Sequence, residues 1–129
     1  MSDIRWDVLT IGHLSRNKFW GESDHRAYRA PRCTTTLIRA GQHTIIIDPG
    51  CPPQEMIAVL DQRAGLTAAA IDTVLLTHFH GDHRVGIGAF PHARWQMAAQ
   101  RFDSYSIGAN IWQSIQAWRA PPWLDRSRW

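Results

Sequence analysis

Lysine is nearly missing from this chain. Lys18 stands alone among 14 basic residues, and the arginines are scattered from Arg5 to Arg128. A nucleic-acid surface normally carries a clustered basic stripe, so the net charge of +3 argues for a solvated, arginine-rich surface instead. Cysteine is scarce as well. Cys33 and Cys51 form no CxxC pair, which excludes a zinc ribbon and a redox motif. Two free thiols in a reducing cytosol are a simpler reading than one disulfide. The opening MSDIRWDVLT lacks the basic and apolar regions of a signal peptide, and no apolar run is long enough to span a bilayer. A cytoplasmic protein without a membrane partner is expected. Repeats, low-complexity tracts and linkers are missing too. What remains is 129 residues, 44% apolar and 19% charged, which suits one globular domain over 1–129 with one core.

The apolar pattern predicts an α/β protein. Residues 3–14 alternate Ile4, Trp6 and Val8 before Leu9 and Ile11, as a strand does. Residues 15–32 are polar and aperiodic, a long loop. TTTLIR (34–39) and HTIII (43–47) flank a glycine-containing link and read as a hairpin. Asp48-Pro49-Gly50 ends the second strand. Pro52 and Pro53 then suit a helix start, Met56, Ile57 and Leu60 its buried side, and Gly65 its C-terminal cap after about Arg63. IDTVLL (71–76) is a short strand of the fully buried kind. A glycine-bearing segment (85–90), a short strand (94–98) and a helix over 110–119 follow. The helix carries Ile111, Trp112, Ile115 and Trp118 on one face and stops at Pro121-Pro122.

Directly after the buried strand comes Thr77-His78-Phe79-His80-Gly81-Asp82-His83. Loops at the C-terminal ends of strands are the usual active-site position in α/β proteins. In an extended segment His78 and His80 project to the same side and can converge on one ion. Gly81 permits a sharp turn, which sends Asp82 and His83 toward a second ion close by. Imidazole with carboxylate suits zinc, and also iron or manganese. Two metals sharing a hydroxide make a hydrolytic centre. At this chain's own His and Asp frequencies the pattern arises by chance in about one such chain in a thousand.

These residues match the HxHxDH signature of the metallo-β-lactamase fold superfamily, which the chain resembles from about Cys33 to Trp95. TTTLIRAGQHTIIIDPG is similar to that family's hairpin, whose second strand ends in an aspartate near the metals. AAAIDTVLLTHFHGDHRVGIGAFPHA is similar to its next helix end, strand, metal loop and helix. The resemblance implies an αβ/βα sandwich and up to two zinc ions, His78 and His80 binding the first and Asp82 and His83 the second. It also implies that Asp48 orients a ligand from the outer shell, that Thr77 shapes the loop, and that Asp82 is essential to catalysis. The implied activity is a metallo-hydrolase directing a metal-bound hydroxide at an ester, thioester, lactone, amide or phosphodiester.

The chain departs from that family downstream. Members supply a third histidine to the first metal, a bridging carboxylate, and a further histidine to the second. After His83 there is only His92, which reads as a surface histidine, and the carboxylate has candidates only in Asp103 and Asp125. His13, His25 and His43 are the remaining candidates for a third ligand. Trp112, Trp118, Trp123 and Trp129 have little sequence around them to cover them. The chain is therefore expected to be the first αβ half of the sandwich, a fragment incomplete at its C-terminus, with its inner sheet face exposed. Self-association or a complementing C-terminal half is the expected partner. A non-catalytic metal-binding or interaction module is the alternative to an active enzyme.

Overall fold

The computed structural model describes residues 3–97, which form a five-stranded sheet in the order β1-β2-β3-β4-β5. β1 is Ile4–Thr10, β2 Thr35–Ala40, β3 His43–Ile47, β4 Thr73–Leu76 and β5 Arg94–Met97. β1, β2 and β3 are antiparallel; β4 and β5 continue parallel to β3. Gly41 takes the left-handed conformation (φ 61°) that a two-residue hairpin turn requires between Ala40 and His43. The helix α1, Pro53–Ala64, carries the chain from β3 to β4. Gly65 caps it, with its N–H donating to the Asp61 carbonyl. The mixed α/β architecture read from the sequence is the one observed. The expected helix over 110–119 lies outside the described residues.

Side chains alternate strictly across the sheet. One face carries Leu9, Leu37, Ile46, Val74 and Leu76, all buried, against Met56 and Leu60 of α1 and against Ile87 and Phe90. The other face carries Ile4, Trp6 and Val8, exposed, and then Ile38, Ile45, Ile47 and Leu75, half-buried. The expected open sheet face is thus present among the described residues.

Three local expectations need correction. β1 ends at Thr10, not Leu14. Its register slips between Val8 and Thr10, and His13 pairs again only as an isolated bridge with Arg32. Ile57 is exposed, because Met56 and Leu60, four apart, define the buried stripe and Ile57 lies a third of a turn off it. β4 begins at Thr73, since residues 68–70 make a 3-10 turn that seats Ile71 in the core first. Residues 15–32 form the expected long loop, held by internal contacts: Tyr28 and Arg29 N–H groups both donate to the Ser15 carbonyl, and Glu22, paired with Arg29, accepts from the Asn17 N–H. No helix among the described residues is long and apolar enough to cross a membrane.

The segment after the histidine cluster is pinned to the end of β3. The Gly86 N–H donates to the Pro49 carbonyl at 2.8 Å, and a Cβ at Gly86 would lie 2.4 Å from the Cys51 carbonyl oxygen. Gly86→Ala is expected to cost about 1–3 kcal/mol by overpacking. Urea unfolding followed by circular dichroism checks this, as a lowered midpoint with unchanged slope.

Candidate metal centre

β3 and β4 are parallel neighbours, with Ile47 beside Leu75, so their C-terminal ends lie side by side. That register brings Asp48 next to Thr77 across 29 residues of sequence. The Asp48 N–H donates to the Leu75 carbonyl at 3.0 Å. Asp48 then turns into the left-handed region (φ 49°), the sole non-glycine to do so among the described residues. Aspartate tolerates this better than most residues, but the conformation still costs energy. Buried donors hold it there. The Thr35 hydroxyl and the Cys33 thiol both donate to the Asp48 carbonyl, at 2.8 and 3.2 Å, while the Thr35 oxygen accepts the Gly50 N–H.

Held this way, the buried Asp48 carboxylate serves three groups. Oδ1 accepts the Thr77 N–H at 2.8 Å. Oδ2 accepts the Thr77 hydroxyl at 2.7 Å and faces His83 Nδ1 at 2.9 Å. A carboxylate only accepts, so the His83 proton is assigned to Nδ1, leaving Nε2 with its lone pair. The Thr77 hydroxyl spends its proton on Asp48, so its oxygen accepts from His78 Nδ1 at 3.0 Å. His78 Nε2 is left as an acceptor in the same way. One carboxylate thus fixes the tautomers of two histidines, the outer arrangement typical of metal-binding imidazoles.

The ring and carboxylate atoms turned away from Asp48 and Thr77 meet in pairs. His78 Nε2 and His80 Nδ1 are 3.0 Å apart, and His83 Nε2 and Asp82 Oδ2 are 3.7 Å apart. Two ligands held at zinc distances and a tetrahedral angle stand roughly 3.3–3.5 Å apart, so both pairs lie within a few tenths of an ångström of that spacing. The His78 and His83 rings are themselves close, with centroids 3.9 Å apart. Burial, reinforced by the neighbouring His83 and His80, pushes the His78 imidazole below its ordinary value, which favours the neutral form that binds metal. Among the described residues no three His, Cys, Asp or Glu side chains group around one ion position. A catalytic zinc takes three protein ligands, one more than either pair contains.

The structure brings together all six residues singled out in the sequence: Asp48, Thr77, His78, His80, Asp82 and His83. Among the described residues none of the other histidines joins them in a group of three possible ligands. His43 is exposed at the far end of β3, 3.9 Å from Asp72. His25 faces Arg16 in the 15–32 loop, and His92 is exposed in a turn. His13 sits at the bridge to Arg32, its Nδ1 buried without a hydrogen-bond partner. Cys33 and Cys51 are free, buried thiols, as expected. Burial, with the charges of Asp48 and Asp82 added, pushes Cys33 up to about 12, so it stays protonated as the donor that Asp48 needs. Sequence reasoning missed the supporting part of Cys33 and Thr35. Their only signal was polarity on the inward side of a strand that otherwise buries Leu37.

Residues 28–98 match the family model of the metallo-beta-lactamase superfamily. A hydroxyacylglutathione hydrolase of Aeromonas hydrophila is 42% identical over 95 residues, covering 69% of this chain and 28% of that protein. A ribonuclease Z of a Mycobacterium species (strain KMS) is 38% identical over 61 residues, covering 47% of this chain and 20% of that one. The chain therefore spans less than a third of the length of these curated relatives. A crystal structure from Thermotoga maritima, titled for the metallo-beta-lactamases, shares the fold with a TM-score of 0.54 at 23% identity, over 71% of this chain and 42% of its own.

Two outcomes follow from the geometry. Asp48→Asn keeps a side chain that tolerates the backbone turn but removes the charge behind His83, and should weaken zinc binding roughly 10–100-fold by competition with a chromogenic chelator. The metal-free chain should lose stability as pH falls below the ordinary histidine value of 6.5, because the unfolded chain takes up the His78 proton before the folded one does. Urea midpoints at about pH 7.5 and about pH 5.5 check this, and His78→Gln should shrink the difference.

Proposed function

The chain belongs to the metallo-beta-lactamase superfamily, and on that premise we propose a metal-dependent hydrolase with a binuclear, zinc-type centre. The observation that carries the proposal is the pairing of possible ligand atoms: His78 Nε2 with His80 Nδ1, and His83 Nε2 with Asp82 Oδ2, each at a ligand-like spacing. His78 and His80 would hold one ion, and Asp82 and His83 a second. Iron or manganese meets the same donor set. Bound there, such ions supply Lewis acidity and make water nucleophilic near neutral pH.

The chain's own residues do the remaining work. Asp48 keeps Nδ1 of His83 protonated and its ring oriented, and Thr77 does the same for His78. Asp82 contributes negative charge that offsets the metal's. The bond attacked is an ester, thioester, lactone, amide or phosphodiester. Relatives named for hydroxyacylglutathione and for RNA mark the breadth of that range. One observation favours a second reading, a metal-binding module without turnover: the described residues give each ion only two ligands.

Elemental analysis of the purified chain, beside a hydrolysis screen with chromogenic esters, thioesters and phosphodiesters, tests the proposal. About two ions per chain are expected. Asp82→Ala should lose one ion and all measurable hydrolysis. Full turnover by that variant would sink the metal mechanism, and bound zinc with no turnover in either protein would leave the module reading standing.

A further inference from the structure

β1 is an outermost strand of the described sheet and pairs only with β2. Its outer row of N–H and C=O groups is a template for another strand. Proteins usually blunt such edges with proline, short length or a bulge. Here the strand is seven residues long without proline, and its irregularity comes only after Val8. Ile4, Trp6 and Val8, on one face, are 70%, 67% and 40% exposed.

The other face carries an electrostatic mismatch. Arg5 stands directly opposite Arg39 on β2, and like charges in that relation repel. Asp7 pairs with Arg39 through Oδ2 and Nη2 at 2.5 Å. Among the described residues Arg5 has no carboxylate of its own.

Ile4-Arg5-Trp6-Asp7-Val8 is self-complementary about its centre. Laid antiparallel on itself with a two-fold axis at Trp6, it sets Arg5 against Asp7 of the second copy, and Asp7 against that copy's Arg5. Ile4 meets Val8, Val8 meets Ile4, and Trp6 meets Trp6. The adjacent registers that keep both helix-covered faces on the same side place Arg5 on Arg5, or Asp7 on Asp7. Among the registers centred on Arg5, Trp6 and Asp7, charge therefore favours the one centred on Trp6, which also lies nearest the middle of the strand.

We propose that β1 is a homodimer interface: it pairs antiparallel with β1 of a second copy, centred on Trp6, and joins two five-stranded sheets into one of ten strands. The contact is isologous, as closed two-fold dimers require. Asp7 then bridges Arg39 of its own chain and Arg5 of the other, which removes the mismatch. The proposal is independent of any metal or hydrolytic activity.

Sedimentation equilibrium of the full chain should give twice the 14.7 kDa chain mass. Arg5→Glu sets like charges against Asp7 of the second copy while relieving the opposition to Arg39. It should raise the dimer Kd about tenfold or more, with the thermal midpoint of the diluted monomer unchanged or higher. Trp6→Cys should cross-link into a reducible dimer on mild oxidation, since Cys33 and Cys51 are buried and the introduced thiols face each other across the axis. Ile4→Cys, two residues off the axis, should not. A monomer at every concentration overturns the proposal. So does a dimer that Arg5→Glu leaves intact, or one in which Ile4→Cys cross-links as readily as Trp6→Cys.

Discussion

The hydrogen bonds of one buried carboxylate organise the candidate centre. Asp48 meets demands from two directions: a left-handed backbone that ends β3, and a side chain that must accept from Thr77 and His83 together. Glycine satisfies the first and fails the second. Glutamate has the charge, but its carboxylate stands one methylene further from the backbone and it tolerates the left-handed turn less well. Asparagine keeps the turn and loses the charge. The surrounding structure pays for the strain through Thr35, Cys33 and the Leu75 carbonyl, all buried or within the sheet.

Much of this was legible in the sequence for a physical reason. Metal-binding side chains clustered within six residues cannot be explained by packing, so His78, His80, Asp82 and His83 stood out. The end of β3 was marked by Asp48-Pro49-Gly50, because those residues cannot continue a ladder. What escaped was register. Nothing in residues 34–39 announces that Thr35 bonds the backbone of Asp48, because that contact exists only once β2 and β3 are aligned. The order within residues 15–32 escaped for the same reason: it rests on a Glu22–Arg29 pair and on carbonyls that periodicity does not register. Ile57 was misplaced because an apolar residue beside the buried stripe looks, in sequence, like part of it.

The two faces of the sheet divide the labour. The face under α1 holds the apolar core that fixes β3 against β4, and with them the ends that carry Asp48 and the histidine loop. The opposite face keeps its apolar residues in contact with solvent at β1 and partly so further in. Such a surface is stable only as long as association is orderly, and a charge-matched edge is one way to make it so.

The two ligand pairs also differ in when they come into being. His78 and His80 are two residues apart and can approach within an extended segment, although the tautomer of His78 still depends on Thr77 and Asp48. His83 takes its orientation from Asp48, 35 residues earlier, and can do so only after the helical crossover has closed and β4 has docked beside β3. The nearer pair is therefore the more local of the two. The His83 orientation ripens only with the tertiary structure, so it records whether the strands have finished aligning.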